Sequence, residues 1–128
     1  LPRRTGRHPR LDPRPRARHR GRHRVESPFA GDVERNLRYL RAALADCLAR
    51  GEAPFASHGL YTQPGVLDDT KPEERARGIL AGFAWGALAR RRVFYTDLGW
   101  SQGMRLGHAE AIRLGQAVEI RTLPGWPS

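Results

Sequence analysis

The chain has 128 residues, 39% of them hydrophobic, and a formal net charge of +10. That length suits one domain with one modest core, and a single cysteine, Cys47, rules out an internal disulfide. No apolar run is long enough to read as a membrane-spanning helix, and a cytoplasmic setting is expected.

The charge is unevenly spread. Residues 1–24 hold ten Arg against one acid, Asp12, which is +9, whereas residues 25–128 hold 13 basic and 12 acidic residues, which is +1. The folded part is therefore expected to be nearly neutral, and the basicity belongs to a tail. With four Pro, three His and almost no apolar residues, residues 1–24 read as a solvated, disordered segment. They lack the apolar stretch of a secretory signal. The absence of Ser and the frequent Pro argue against a mitochondrial-type presequence. A basic arm touching nucleic acid is the functional alternative. A start-site or reading-frame artefact is a third reading, because a GC-rich gene read out of frame gives tracts of Arg, Pro, His, Gly and Ala.

Val25 and Glu26 read as the stub of a strand ahead of the turn "SPFAGD". From Asp32, a candidate N-cap, Val33, Leu37, Leu40, Leu44, Cys47 and Leu48 recur at helical spacing up to a stop at Gly51. Cys47 reads as a small core residue. Ala53–His58 is a short buried or extended segment, and "GLYTQPGVLDDTKP" is a loop by its Gly, Pro and Asp content. A second helix starts near Pro72, close to Thr70 or Lys71, with Glu73 and Glu74 in its first turn. Its expected apolar face is Ile79, Leu80, Phe83, Ala84, Ala87 and Leu88. Arg91–Asp97 is a strand. A third helix runs from a Ser101 cap to about Leu114 and stops at Gly115, and Ala117–Leu123 is the last strand.

This alternation predicts a three-layer α/β fold: a Rossmann- or flavodoxin-like parallel sheet of four to five strands with helices on both faces. Right-handed crossovers put every strand C-terminus on one edge, where ligands of such sheets bind. The loops Ser27–Asp32, His58–Asp69 and Asp97–Met104 should converge there. In "LGWSQGM", Ser101 offers a hydroxyl at a helix N-terminus and Gly103 permits close approach, which suits an anion or serves as a plain cap. His58, Tyr61, Asp68 and Asp69 lie within reach of a sugar or base, or make structural hydrogen bonds. Asp97 ends a strand at the ligand edge, and Glu110 lies on a helix body. His58 and His108 show no metal-ligand spacing; no metal or cofactor is expected. There is no phosphate-loop motif or nucleophile elbow.

Taken together, "SPFAGDVERN", "RGEAPFASHGLYTQPGVLDD", "PEERARGI" and "VFYTDLG" followed by Ser101, Gly103 and Met104 resemble the nucleoside 2-deoxyribosyltransferase-like superfamily. The resemblance covers about residues 25–123. Closest in look are its small phage and actinobacterial domains of unknown function, of the DUF7768 and DUF4406 kind. The resemblance implies that Ser101, Gly103 and Met104 receive a 5′-phosphate. It implies that Ser27, Pro28, Phe29, Gly31 and Asp32, with His58 and Tyr61, shape the base and sugar pocket. The superfamily's catalytic glutamate would fall at Gly107, which leaves Glu110, Asp97 and Asp69 as candidate catalytic carboxylates. An apolar first strand is also implied, where this chain has "RGRHR"; a strand buried on both faces should read apolar, and unpaired buried Arg would be costly.

Three functions follow as expectations. The first is an enzyme of nucleoside-monophosphate N-glycosidase or 2-deoxyribosyltransferase type, acting on the N-glycosidic bond of a nucleotide or nucleoside. The second is a nucleotide-binding module without chemistry, which Gly107 favours. The third is nucleic-acid contact through residues 1–24, with the steep salt dependence of such arms. A homodimer or higher oligomer is implied by the resemblance.

Overall fold

The computed structural model describes residues 20–127. Four strands, β1 (Arg22–Glu26), β2 (Ala53–Phe55), β3 (Arg91–Tyr95) and β4 (Ala117–Arg121), form a parallel sheet in the order β2-β1-β3-β4. Four helices, α1 (Val33–Ala49), α2 (Ser57–Leu60), α3 (Pro72–Gly86) and α4 (Gln102–Leu114), complete a three-layer α/β fold. The chain steps from β1 outward to β2, then returns across β1 to β3 and β4. The order thus reverses between β1 and β3, which makes their carboxyl ends the switch point of the sheet.

The helix ends follow local chemistry. The Asp32 carboxylate accepts the Arg35 N–H at 3.1 Å and caps α1. Pro72 opens α3 behind Lys71, with Glu73 and Glu74 in its positive first turn. Ser101 caps α4 by accepting the Met104 N–H at 3.1 Å, and Gly115, at φ 68°, ends it in the left-handed region that glycine adopts without strain.

Side chains alternate across each strand. Val25, Val93 and Tyr95 point to one face and pack against Tyr39, Leu40, Ala43 and Cys47 of α1, forming the apolar core. Arg24, Glu26 and Arg92 point to the other face, under α3 and α4.

Three expectations are corrected. The first strand begins at Arg22, not Val25. His23 and Arg24 are buried in it, 3% and 5% exposed, so the tail's boundary at residue 24 fell inside the central strand. Such a strand is tolerated because its charges are paired: His23 Nε2 lies 3.5 Å from Glu52, Arg24 Nε 3.2 Å from Glu26, and Arg92 Nη1 3.3 Å from Glu26. The reading of the tail itself falls on residues 1–19, which lie outside the described residues.

The second correction concerns helix faces. Val33 and Leu48 are exposed, while Asn36, Tyr39 and Ala43 are buried, so the buried stripe of α1 is rotated from the Val33–Leu48 series. Leu80 of α3 and Leu88 just after it are exposed, and Gly82 and Gly86 face the sheet. The reason is steric. A Cβ on Gly82 would sit 2.9 Å from Arg24 Nη2, and one on Gly86 would sit 2.7 Å from both Arg24 Nη1 and Arg92 Nη2. Third, the loop after Phe55 opens with the short helix α2.

Candidate active site

A cavity of about 320 Å³ opens at the switch point, within the size range of small-molecule sites. Its floor is the end of β1, with Arg24, Glu26 and Ser27. Phe29 and Ala30 of the β1–α1 turn form one wall. Ser57, His58, Tyr61 and Thr62 form a second, Asp69, Arg75, Ile79 and Phe83 a third, and Ser101–Met104 at the start of α4 a fourth.

The β1–α1 turn is held from below. The Asn36 amide donates to the Phe29 carbonyl at 2.8 Å and the Ala30 carbonyl at 3.0 Å. Gly31, at φ 98°, makes the reversal, and Asp32 is occupied as a helix cap. Ser27 Oγ and His58 Nε2 are 3.0 Å apart. Burial, with the nearby Arg24 charge, brings the His58 imidazole down to about 4, so the ring is neutral at pH 7. Asp69 is paired with Arg75 at 3.1 Å within the cavity wall. At α4, the Ser101 Oγ is the cap acceptor, and the other first-turn N–H groups have no intrahelical partner.

The three expected loops meet. Ser27, Phe29, His58, Tyr61, Asp69, Ser101, Gly103 and Met104 all line the cavity. Pro28, Gly31 and Asp32 shape the turn without lining it. Asp97 lies outside: its carboxylate accepts from the Tyr39 hydroxyl at 2.5 Å and from the Leu123 N–H at 2.9 Å, pinning the chain after β4 to α1. Glu110 is also absent from the lining, held by Arg113 at 2.8 to 3.1 Å, with its side chain largely buried and its charge acting on Arg92. His108 packs edge-on to Phe94 and Trp100 at 5.6 Å. No cluster of three or more metal-ligating side chains occurs among the described residues.

Glu26, Arg24, Ser57 and Arg75 line the cavity without having been expected there. Burial pushes the Glu26 carboxyl up, against the opposing pull of Arg24 and Arg92. Gly107 bears directly on this group: a Cβ there would lie 2.6 Å from Glu26 Oε2, so the glycine makes room for the carboxylate. The sequence did carry a signal. Glycine within a helix costs about 1 kcal/mol relative to alanine, and Gly82 and Gly107 sit in helix interiors, with Gly86 ending α3, all facing these charges.

Residues 24–121 match the family model described as a domain of unknown function, DUF7768. The chain belongs to the DUF7768 family. The matched stretch begins inside β1 and ends with β4, so it takes in every wall of the cavity of this DUF7768 domain. No curated protein matches the sequence. No helix among the described residues is long and apolar enough to cross a membrane.

Proposed function

We propose that this DUF7768 domain binds a nucleotide at the switch point and acts on its N-glycosidic bond, as the nucleoside 2-deoxyribosyltransferase-like proteins it resembles do. One observation carries the reading: a helix N-terminus, an aromatic pair and buried carboxylate chemistry share a single cavity at the carboxyl edge of a parallel sheet. The free N–H groups of the first α4 turn and the helix dipole suit a 5′-phosphate beside Ser101, Gly103 and Met104. Phe29 and Tyr61 offer flat apolar faces to a base. Ser27 and neutral His58 offer hydrogen bonds to a sugar.

A second reading, binding without chemistry, is favoured by a separate observation. Of the carboxylates expected from sequence, Asp97 and Glu110 lie outside the cavity and Asp69 is paired with Arg75.

Incubation with a panel of deoxyribo- and ribonucleoside monophosphates tests both, with thermal shift for binding and chromatography for free base. The phosphate subsite is tested by Gly103→Asp. The nearest atom to a Cβ at 103 is 3.9 Å away, so a Cβ is accommodated there, and an acid in the first helical turn is not destabilising. Monophosphate binding should fall at least about tenfold from charge repulsion, while binding of the matching nucleoside persists. Equal loss of both would remove the phosphate from this position.

A further inference from the structure

One carboxylate at the switch point is held unlike the others. Both ion pairs of Glu26, from Arg24 Nε at 3.2 Å and Arg92 Nη1 at 3.3 Å, use the same oxygen, Oε2. The hydrogen bonds and ion pairs of the described residues leave Oε1 without a partner, and Oε1 is not among the fully enclosed polar atoms. Glu26 itself is 5% exposed and lines the cavity. The clamp is rigid. Arg92 also donates to the Gly107 carbonyl at 3.1 Å and to Gln116 at 2.9 Å. Arg24 also donates to Ser57 at 3.0 Å and to the Gly82 carbonyl. A purely structural ion pair at this depth would be expected to use both carboxylate oxygens, since unsatisfied buried charge is costly. Here one oxygen is fixed and charge-balanced, and the other, on a side chain that lines the cavity, has no hydrogen-bond or ion-pair partner among the described residues.

We propose that Glu26 is the reacting carboxylate of this pocket, its Oε1 attacking the anomeric carbon of the bound nucleotide. This inference rests on the nucleotide reading above and adds the residue that performs the step. A lone pair of Oε1 forms the new C–O bond as the C–N bond breaks, and the C–N electron pair leaves on the base. The base takes a proton from water. The hydroxide so formed attacks the anomeric carbon, the C–O bond to Glu26 breaks with its pair returning to Oε1, and the free sugar phosphate is released. One water is consumed and the carboxylate is regenerated. Arg24 and Arg92 act as positioning residues through Oε2.

The test compares the intact chain with Glu26→Gln and Glu26→Asp for base release from the monophosphate panel, with ligand-induced thermal stabilisation read in parallel. The glutamine removes the negative charge at nearly constant shape. The aspartate keeps the charge that Arg24 and Arg92 require but withdraws the oxygen, so a folded variant is available if the glutamine form does not fold. Expected is loss of release by at least about 100-fold, the scale of a missing reacting group, with nucleotide stabilisation retained. A folded variant releasing base at the unaltered rate overturns Glu26 and leaves the nucleotide pocket standing. Stabilisation without release in the intact chain overturns the reactive role and leaves binding. Neither stabilisation nor release in the intact chain overturns the nucleotide reading and this inference together.

Discussion

On the α1 side of the sheet, Arg121 engages all three guanidinium nitrogens: Nε with Glu119 at 2.9 Å, Nη1 with Glu52 at 2.8 Å and the Tyr95 hydroxyl at 3.1 Å, and Nη2 with Glu52 at 2.6 Å. On the α3/α4 side, Arg92 leaves Nη2 and Arg24 leaves Nε buried without a hydrogen bond, as does Nε of Arg91, which reaches the Arg121 cluster through Glu119. Both clusters are buried, and both join arginine to glutamate. Their central arginines differ in completeness and in neighbourhood. The Arg121 guanidinium is closed by a carboxylate fork; the Arg24–Glu26–Arg92 cluster borders the cavity and is roofed by glycines. A buried guanidinium with every nitrogen engaged reads as architecture, and buried charge left short at the edge of a cavity reads as a site.

The contrast is open to perturbation. The largest effect is expected from Arg121→Met, which strips the 3%-exposed Glu52 of the guanidinium that engages both its oxygens. Loss of one partner of a buried pair costs about 3–5 kcal/mol, so urea or thermal unfolding should show a severely weakened domain. A loss below about 1 kcal/mol would contradict the closed-cluster view.

Next comes Gly107→Ala. In an open helix alanine would gain about 1 kcal/mol, but here its Cβ meets a clamped Glu26 oxygen at 2.6 Å. Overpacking should reverse the sign to a net loss of about 1–3 kcal/mol. Gly103→Ala is the control: its Cβ meets nothing closer than 3.9 Å, and thermal denaturation should show a small gain.

Acid titration separates the clusters further. Hydrogen bonding and charge from Arg121 and Arg91, acting against partial burial, hold the Glu119 carboxyl at about 2. Its folded value is depressed, so its stabilisation is present above the ordinary carboxylate value of 4.5 and is lost as pH falls toward about 2. Glu119→Gln should remove up to about 1 kcal/mol at neutral pH, given its partial exposure, and flatten that acid limb.

Glu26 has the opposite sign. Its folded value is raised, so its protonated form is favoured in the folded protein, and its contribution to stability is present below 4.5 and lost as pH rises through the folded value. As the reacting carboxylate it must be ionised. Arg24 on its own strand and Arg92 on β3 pull its titration down; α3 meets the cluster with Gly82 and Gly86, α2 with Ser57, and α4 with Gly107 and the Glu110 carboxylate, whose charge acts on Arg92. The acid limb of base release should therefore lie above the ordinary carboxylate range. A limb centred at or below 4.5 would separate Glu26 from the chemistry.

Much of the fold was legible because capping chemistry is local. Asp32, Pro72, Ser101 and Gly115 marked their helix ends, and strand–helix alternation fixed a parallel sheet. The convergence of Ser27, Phe29, His58, Tyr61 and Ser101 then followed from topology. The central strand was illegible because a strand is ordinarily recognised by apolar content, and the charges of "RHRVE" find partners far along the chain, Glu52 for His23 and Arg92 for Glu26. Glu26 was missed for the same reason. Its significance depends on Arg92, 66 positions away, and on the space at Gly107. The helix-interior glycines were the available clue, since sequence alone gave no reason for them.

The position of β1 has a practical consequence for where this polypeptide can be cut. Every rung joining β1 to β2 uses residues 22–24, pairing Arg22 with Ala53, His23 with Pro54 and Arg24 with Phe55. Ahead of them, the Arg20 N–H donates to the Gly51 carbonyl at 3.0 Å, and the Gly21 carbonyl accepts the Ala53 N–H at 2.9 Å. A polypeptide trimmed to begin at Val25 would leave β2 with no neighbour. A trial of nucleic-acid contact by the basic arm must therefore remove residues no further than 19, or it will report a broken sheet instead of a missing arm.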